Sequence, residues 1–226
     1  NAHCFWGTRW IKTVKDTGTY SYYYYLNGIM YWNDKDTTKT TIARVLDDDG
    51  SGAVEMTNAF MYRPTTGGTL MPYGNNGLVS MPSASIDANG NIYCVYMGMV
   101  EAGSAGIHNW SVPNGAVQYS DIYVNYSKDG GKTWGTTPQD ISKNADGEDA
   151  FPCVYRRADS KLHIEWQRDD YPSTYVGGII SSGGAYPNRQ QAASQNAIIY
   201  CAVDVSDILS DNIGSTSISE KTKYND

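Results

Sequence analysis

Along the chain, short stretches of alternating apolar and polar residues are separated by clusters of Gly, Asn, Asp and Ser, and no long Ala/Glu/Lys/Leu stretch interrupts them. That alternation predicts strands and turns. One stretch repeats itself: Pro82, Ala88, Asn89-Gly90, Ile92 and Tyr96 are matched by Pro152, Ala158, Asp159-Ser160, Leu162 and Trp166, at a constant offset of 70 residues and without a gap. Self-similarity at such a period is the mark of a stacked architecture. Each copy reads as a strand, a tight turn and a second strand. Asn89-Gly90 tolerates the positive φ of a two-residue hairpin turn, and Asp159-Ser160 is a poorer version of the same signal.

After the turns, Ile92, Cys94 and Tyr96 share one strand face, and Leu162, Ile164 and Trp166 share the equivalent one, as in a strand with one face buried. A looser third copy lies over residues 22–32, with Asn27-Gly28 read as its turn. Further strand candidates follow each hairpin, at 40–46, 121–127 and 196–203. Each unit is therefore a meander of three or four strands. Units that cannot cover their own faces stack around an axis or along a line. Two Gly/Ser/Asn-rich connections, 98–120 and 171–195, carry the excess length.

Composition narrows the class. The 226 residues hold 19 Tyr and 6 Trp against 3 Phe, with 23 Gly, and only 18% are charged, a profile that suits an all-β protein burying amphipathic rings. A net charge of −7 without a basic stripe argues against nucleic acid as a partner. No apolar run approaches the roughly 20 residues of a membrane-spanning helix. The chain opens on Asn1 with no signal-like segment, so it reads as a processed or partial piece. Cys4, Cys94, Cys153 and Cys201 lack metal-ligand spacing, and Cys94 and Cys201 sit in apolar strands as small hydrophobes; a disulfide between strands stays an alternative.

The sharpest local signal is Ser127-Lys128-Asp129-Gly130-Gly131-Lys132-Thr133-Trp134, directly after a strand. In a tight turn Asp129 can accept from backbone N–H groups, Gly131 can take positive φ and Trp134 can close the base. The string resembles the Asp-box, or BNR repeat, of sialidase-like β-propellers, and the flanking hairpins resemble blades of that family. The resemblance implies a partial set of about three to four blades in one domain over 1–226. Blades are expected at 18–66, 77–134 and 148–205, with 206–226 as an extension or the start of another blade. It also implies that Ser127, Asp129, Gly131, Thr133 and Trp134 are structural, on a turn remote from any ligand site.

The same resemblance sets a test for catalysis. A catalytic member needs an arginine cluster, a Tyr/Glu nucleophile pair and an acid/base Asp, opened by an Arg-Ile-Pro string; here the nearest string is Tyr62-Arg63-Pro64. Arg9, Arg44, Arg63, Arg156, Arg157, Arg168 and Arg189 are placed by no motif. The expectation is therefore a non-catalytic module binding a glycan or a protein, secreted or at the cell surface. Within the family it is most like the BNR-repeat proteins that some bacteria export through type IX secretion. The alternatives are a divergent sialidase-like glycoside hydrolase with residues outside this chain, and a structural module of a larger adhesin.

Candidate ligand residues follow from position. Asp146, Glu148 and Asp149 precede the strand near Phe151, and Asn75 and Asn76 hold the equivalent place before Met81. For the acids alone, a solvated loop is the plainer reading. Trp110, in a long connection, is the aromatic outlier suited to stacking on a sugar. No metal or cofactor is expected. Asp47, Asp49 and Ser51 with Gly52 faintly resemble a calcium loop, but the closing position holds Asn58 rather than Glu. His108 reads as an exposed loop residue and His163 as a residue on a sheet face.

Overall fold

The computed structural model describes residues 1–13, 18, 20–47, 52, 77–101, 107–108, 117–144, 147–169, 196–214 and 218–220. Its strands are β1 (His3–Thr13), β2 (Tyr20–Asn33), β3 (Thr40–Ala43), β4 (Val79–Ile86), β5 (Ile92–Met99), β6 (Ile107–His108), β7 (Val117–Gln118), β8 (Ser120–Ser127), β9 (Gln139–Asp140), β10 (Glu148–Val154), β11 (Lys161–Asp169), β12 (Ala197–Asp204) and β13 (Ile218–Glu220). A short helix, α1 (Val205–Leu209), lies between β12 and β13. The protein is all-β, and every strand ladder among the described residues is antiparallel. Three sheets carry the structure, in the orders β1-β2-β3, β4-β5-β8-β9 and β10-β11-β12-β13, beside the β6-β7 pair.

The middle sheet is covered on both faces. Ile92, Cys94 and Tyr96 of β5 pack with Ile29 and Tyr31 of β2 and Ile42 and Ala43 of β3. The alternate residues Tyr93 and Val95, with Ile122 and Val124 of β8, pack on Leu162, Ile164 and Trp166 of β11 and on Ile199, Cys201 and Val203 of β12. Strand β5 is buried along its whole length, so the expectation of a single buried face fails there. In β11 the expectation holds: Leu162, Ile164 and Trp166 are buried, whereas His163 is half-buried and Glu165 exposed. Each fully buried large side chain contributes roughly 1.5–3 kcal/mol, so the two apolar interfaces hold the stack together.

Two turns differ from their sequence signals. Asn27-Gly28 is no turn; it lies inside β2, which pairs with β1, so the first sheet begins at His3 rather than near residue 18. Tertiary contacts overrule the local preference: the Asn27 amide donates to the Val79 carbonyl and accepts from the Val79 N–H, and Gly28 lies where a Cβ would stand 2.8 Å from the Ala43 carbonyl oxygen. At the β4–β5 hairpin the loop has three residues, Ala88 to Gly90. The Asp87 N–H donates to Asn91 O, the Gly90 N–H donates to Asp87 O, and Gly90 takes φ +84°. The segment after 206 also departs from a simple extension, because β13 pairs with β12 as the fourth strand of the third sheet.

The 70-residue repeat has a structural core that is more specific than a hairpin. In β4 the register shifts between Ser80 and Ser83, and in β10 between Ala150 and Cys153, so Met81-Pro82 and Phe151-Pro152 each oppose one buried aromatic, Tyr96 and Trp166. Both are β-bulges. Met81 and Phe151 adopt φ of +56° and +57°, left-handed backbone held by the surrounding sheet. Proline fits at such a place because a bulge demands no ladder N–H.

Candidate functional site

The antiparallel order sends like features to like ends. At one end lie the tight connections 87–91 and 155–160 and the turn after β8. At the other end β5 finishes, β8, β4 and β10 begin and β11 finishes, so the connections 44–78, 100–119 and 170–196 all leave from or arrive at this side. Five acidic side chains are buried here: Glu101 (0% exposed), Asp121 (3%), Glu148 (2%), Asp149 (0%) and Asp169 (5%). The reading of Glu148 and Asp149 as a solvated loop is therefore overturned: they are the first residues of β10, paired in register with Asp169 and Arg168. A bulge two residues further on re-aims the strand start into the protein.

Asp149 is held by three donors. Arg168 Nε donates to Oδ1 and Nη2 to Oδ2, both at 2.7 Å, while Trp166 Nε1 donates to Oδ1 at 2.8 Å. The guanidinium carbon of Arg168 also lies 5.9 Å from the Trp166 ring centre. Such a forked pair is the geometry in which a buried carboxylate is best compensated. Glu148 Oε2 accepts from the Ser120 N–H at 2.7 Å and so ties β10 to β8. Asp121 faces a different environment: burial first, then the negative charges of Asp140 and Asp149, push its carboxyl up to about 9, against the Ser142 hydroxyl that donates to it. The shift favours the protonated form of Asp121 beside the Asp140 carboxyl.

The opposite end holds the turn 127–134. Ser127 Oγ accepts from the Gly131 N–H at 2.8 Å, and Asp129 accepts from the Thr133 N–H (2.9 Å), the Thr133 hydroxyl (2.7 Å) and the Ser127 hydroxyl (2.8 Å). Desolvation pulls the Asp129 carboxyl upward, but these donors outweigh it and hold the group down at about 2. Trp134 packs on Tyr31 and Phe5, with ring centres at 4.9 and 5.9 Å. Ser127, Asp129, Gly131, Thr133 and Trp134 thus meet in one turn, sealed against the first sheet. Gly131 has φ +92°, and a Cβ there would fall on the Tyr31 hydroxyl. Gly131→Ala is expected to cost about 1–2 kcal/mol, read as a lower urea midpoint with an unchanged slope.

Other sequence candidates are placed as follows. Asp146, Asn75, Asn76 and Trp110 lie outside the described residues, as do Asp49, Ser51 and Asn58 of the calcium-like string; Asp47 Oδ2 accepts from the Gly52 N–H. Among the described residues no group of three or more His, Cys, Asp or Glu side chains is placed to hold a metal ion. None of the four cysteines forms a disulfide; Cys94 and Cys201 are buried, Cys4 and Cys153 exposed. His163 stacks on Tyr200 and shares a hydrogen with its hydroxyl at 2.6 Å. Asp121, Glu101 and Arg168 escape sequence reasoning, since nothing local marks a carboxylate whose neighbours come from other strands. The one available signal is a charge standing where a strand meets a long connection.

No helix among the described residues is long and apolar enough to cross a membrane. No family model matches the chain, and no curated protein is significantly similar to it.

Proposed function

We propose that the three sheets are blades of a sialidase-like β-propeller and that the chain is a secreted or cell-surface module that binds a glycan or protein without catalysis. The observation that carries this reading is the separation of ends: one holds the tight connections 87–91 and 155–160, the other a platform of buried strand ends from which the connections 44–78, 100–119 and 170–196 leave. Rigid strand ends under variable connections are how binding surfaces are built on propellers and sandwiches. The Ser127–Trp134 turn supports the family assignment, because its Asp-box residues brace one another as such a turn requires.

A glycoside hydrolase is the second reading, favoured by one feature: a carboxyl pushed well above the usual carboxylate range by burial, Asp121, close to the ion-paired Asp149. Two carboxylates in contrasting environments are the requirement of that chemistry. Against it, both groups are at least 97% buried, and Asp149 spends both oxygens on Arg168 and Trp166. A fluorogenic sialoside assay paired with a glycan array on the intact chain separates the readings. No turnover with selective glycan retention is the expected result. Turnover abolished in a folded Asp121→Asn variant would establish the hydrolase, and absence of both activities would favour a protein ligand or a structural role in an adhesin.

A further inference from the structure

At the turn end, away from the acidic platform, Ile86, Tyr155, Arg156 and Arg157 line a half-open pocket of about 430 Å³, a volume within the range of small-molecule sites. Its walls are fixed through the backbone. The Ile86 N–H donates to Arg156 O at 3.2 Å and the Ala158 N–H to Ile86 O at 3.1 Å, a parallel bridge joining the end of β4 to the loop after β10. On the far side the Tyr155 N–H donates to His163 O at 3.0 Å. The side chains, by contrast, stand in solvent: Tyr155 is 70% exposed and Ile86 36%.

Two arginines stand side by side at this place, in the lining of the pocket. In a chain of net charge −7, neither Arg156 nor Arg157 makes an ion pair or side-chain hydrogen bond among the described residues, so both guanidinium groups are available to a ligand. The acids nearest in sequence are already engaged. Asp87 accepts from Asn89, Asn91 and Tyr93, and Asp159 from Lys161 with His163 beside it. Two adjacent forked cations beside an exposed aromatic ring and an aliphatic floor match a planar or tetrahedral anion carried on a ring.

We propose that this pocket binds an acidic sugar, with its carboxylate or sulfate held by Arg156 and Arg157 and its ring laid against Tyr155. The site stands apart from the platform at the opposite end and does not depend on the function assigned above. Calorimetric titration of the full chain with methyl glucuronide, glucose 6-sulfate and methyl glucoside tests it. Both acidic sugars bind and the neutral one does not; preference between the two acids identifies the anion. The Arg156→Ala/Arg157→Ala variant weakens binding at least ~tenfold, Tyr155→Ala weakens it severalfold, and the double Arg→Lys variant, which keeps charge but loses the fork, falls between. All three side chains are exposed, so circular dichroism is expected to show an unchanged fold. Equal binding of the neutral sugar, unchanged affinity in the folded double alanine variant, or arginine-dependent binding of an acidic peptide in place of the sugars overturns the proposal.

Discussion

Arg168→Ala is expected to lower the unfolding free energy by about 3–5 kcal/mol, the loss typical when one partner of a buried ion pair is removed. The size follows from what remains. Asp149 is fully buried and receives both of its charged donors from Arg168, so the variant leaves a carboxylate with only the Trp166 N–H for compensation. Glu148, Asp169 and Asp121 are buried at the same strand ends, so the stranded charge would sit among other acidic groups. Urea denaturation at pH 7 reads the effect. Replacing both partners, Asp149→Leu with Arg168→Met, is expected to restore most of the stability because nothing charged is then stranded. A loss under about 1 kcal/mol in the single variant would show that water reaches the pair and screens it as on a surface.

The second large effect is in the pH dependence. Asp121 titrates near 4 in the unfolded chain and far higher when folded, owing to burial and then the charges of Asp140 and Asp149. Between those values the folded state binds a proton that the unfolded state does not, so this group's contribution is fully present below about pH 4 and is lost as pH rises toward 9. The group therefore lowers stability steadily as pH rises from 5 to 8. Asp121→Asn is expected to abolish that slope. Asparagine keeps an acceptor for the Ser142 hydroxyl and offers an N–H to Asp140 in place of the carboxyl proton. Urea midpoints of the two proteins should converge at pH 4 and diverge at pH 8 with the variant higher. Parallel curves across that range would mean that Asp121 is ionised in the fold.

The turn at Asp129 contributes in the opposite sense. Its folded carboxyl is depressed to about 2, so its stabilising hydrogen bonds are intact above pH 4 and are lost as pH falls toward 2. Wild-type stability is therefore expected to reach its maximum in mildly acidic solution, between the range where Asp129 protonates and the range where Asp121 weighs against folding. That expectation concerns these two groups, and the Asp121→Asn curve isolates the second.

The all-β class was legible in the alternation of Leu162, Ile164 and Trp166 and in the turn chemistry of Asn89-Gly90, because a pleated strand carries its period in neighbouring residues. The middle sheet's position was not: residues 92, 94 and 96 read as the one buried face of a strand, and only stacking against the third sheet buried Tyr93 and Val95 as well. Pro82 and Pro152 were legible as matched positions of the repeat, but the bulges they occupy are set by the ladder registers. Local chemistry reaches only as far as the chain's own neighbours. Whether Asn27-Gly28 turned or ran straight was decided by Val79, which lies 52 residues away and meets the Asn27 amide only after the sheets stack. Glu148 and Asp149 read as solvated for the same reason. A charged pair at a strand start belongs in water unless Ser120, Trp166 and Arg168 arrive from other strands to receive it, and that convergence is a property of the packed sheets alone.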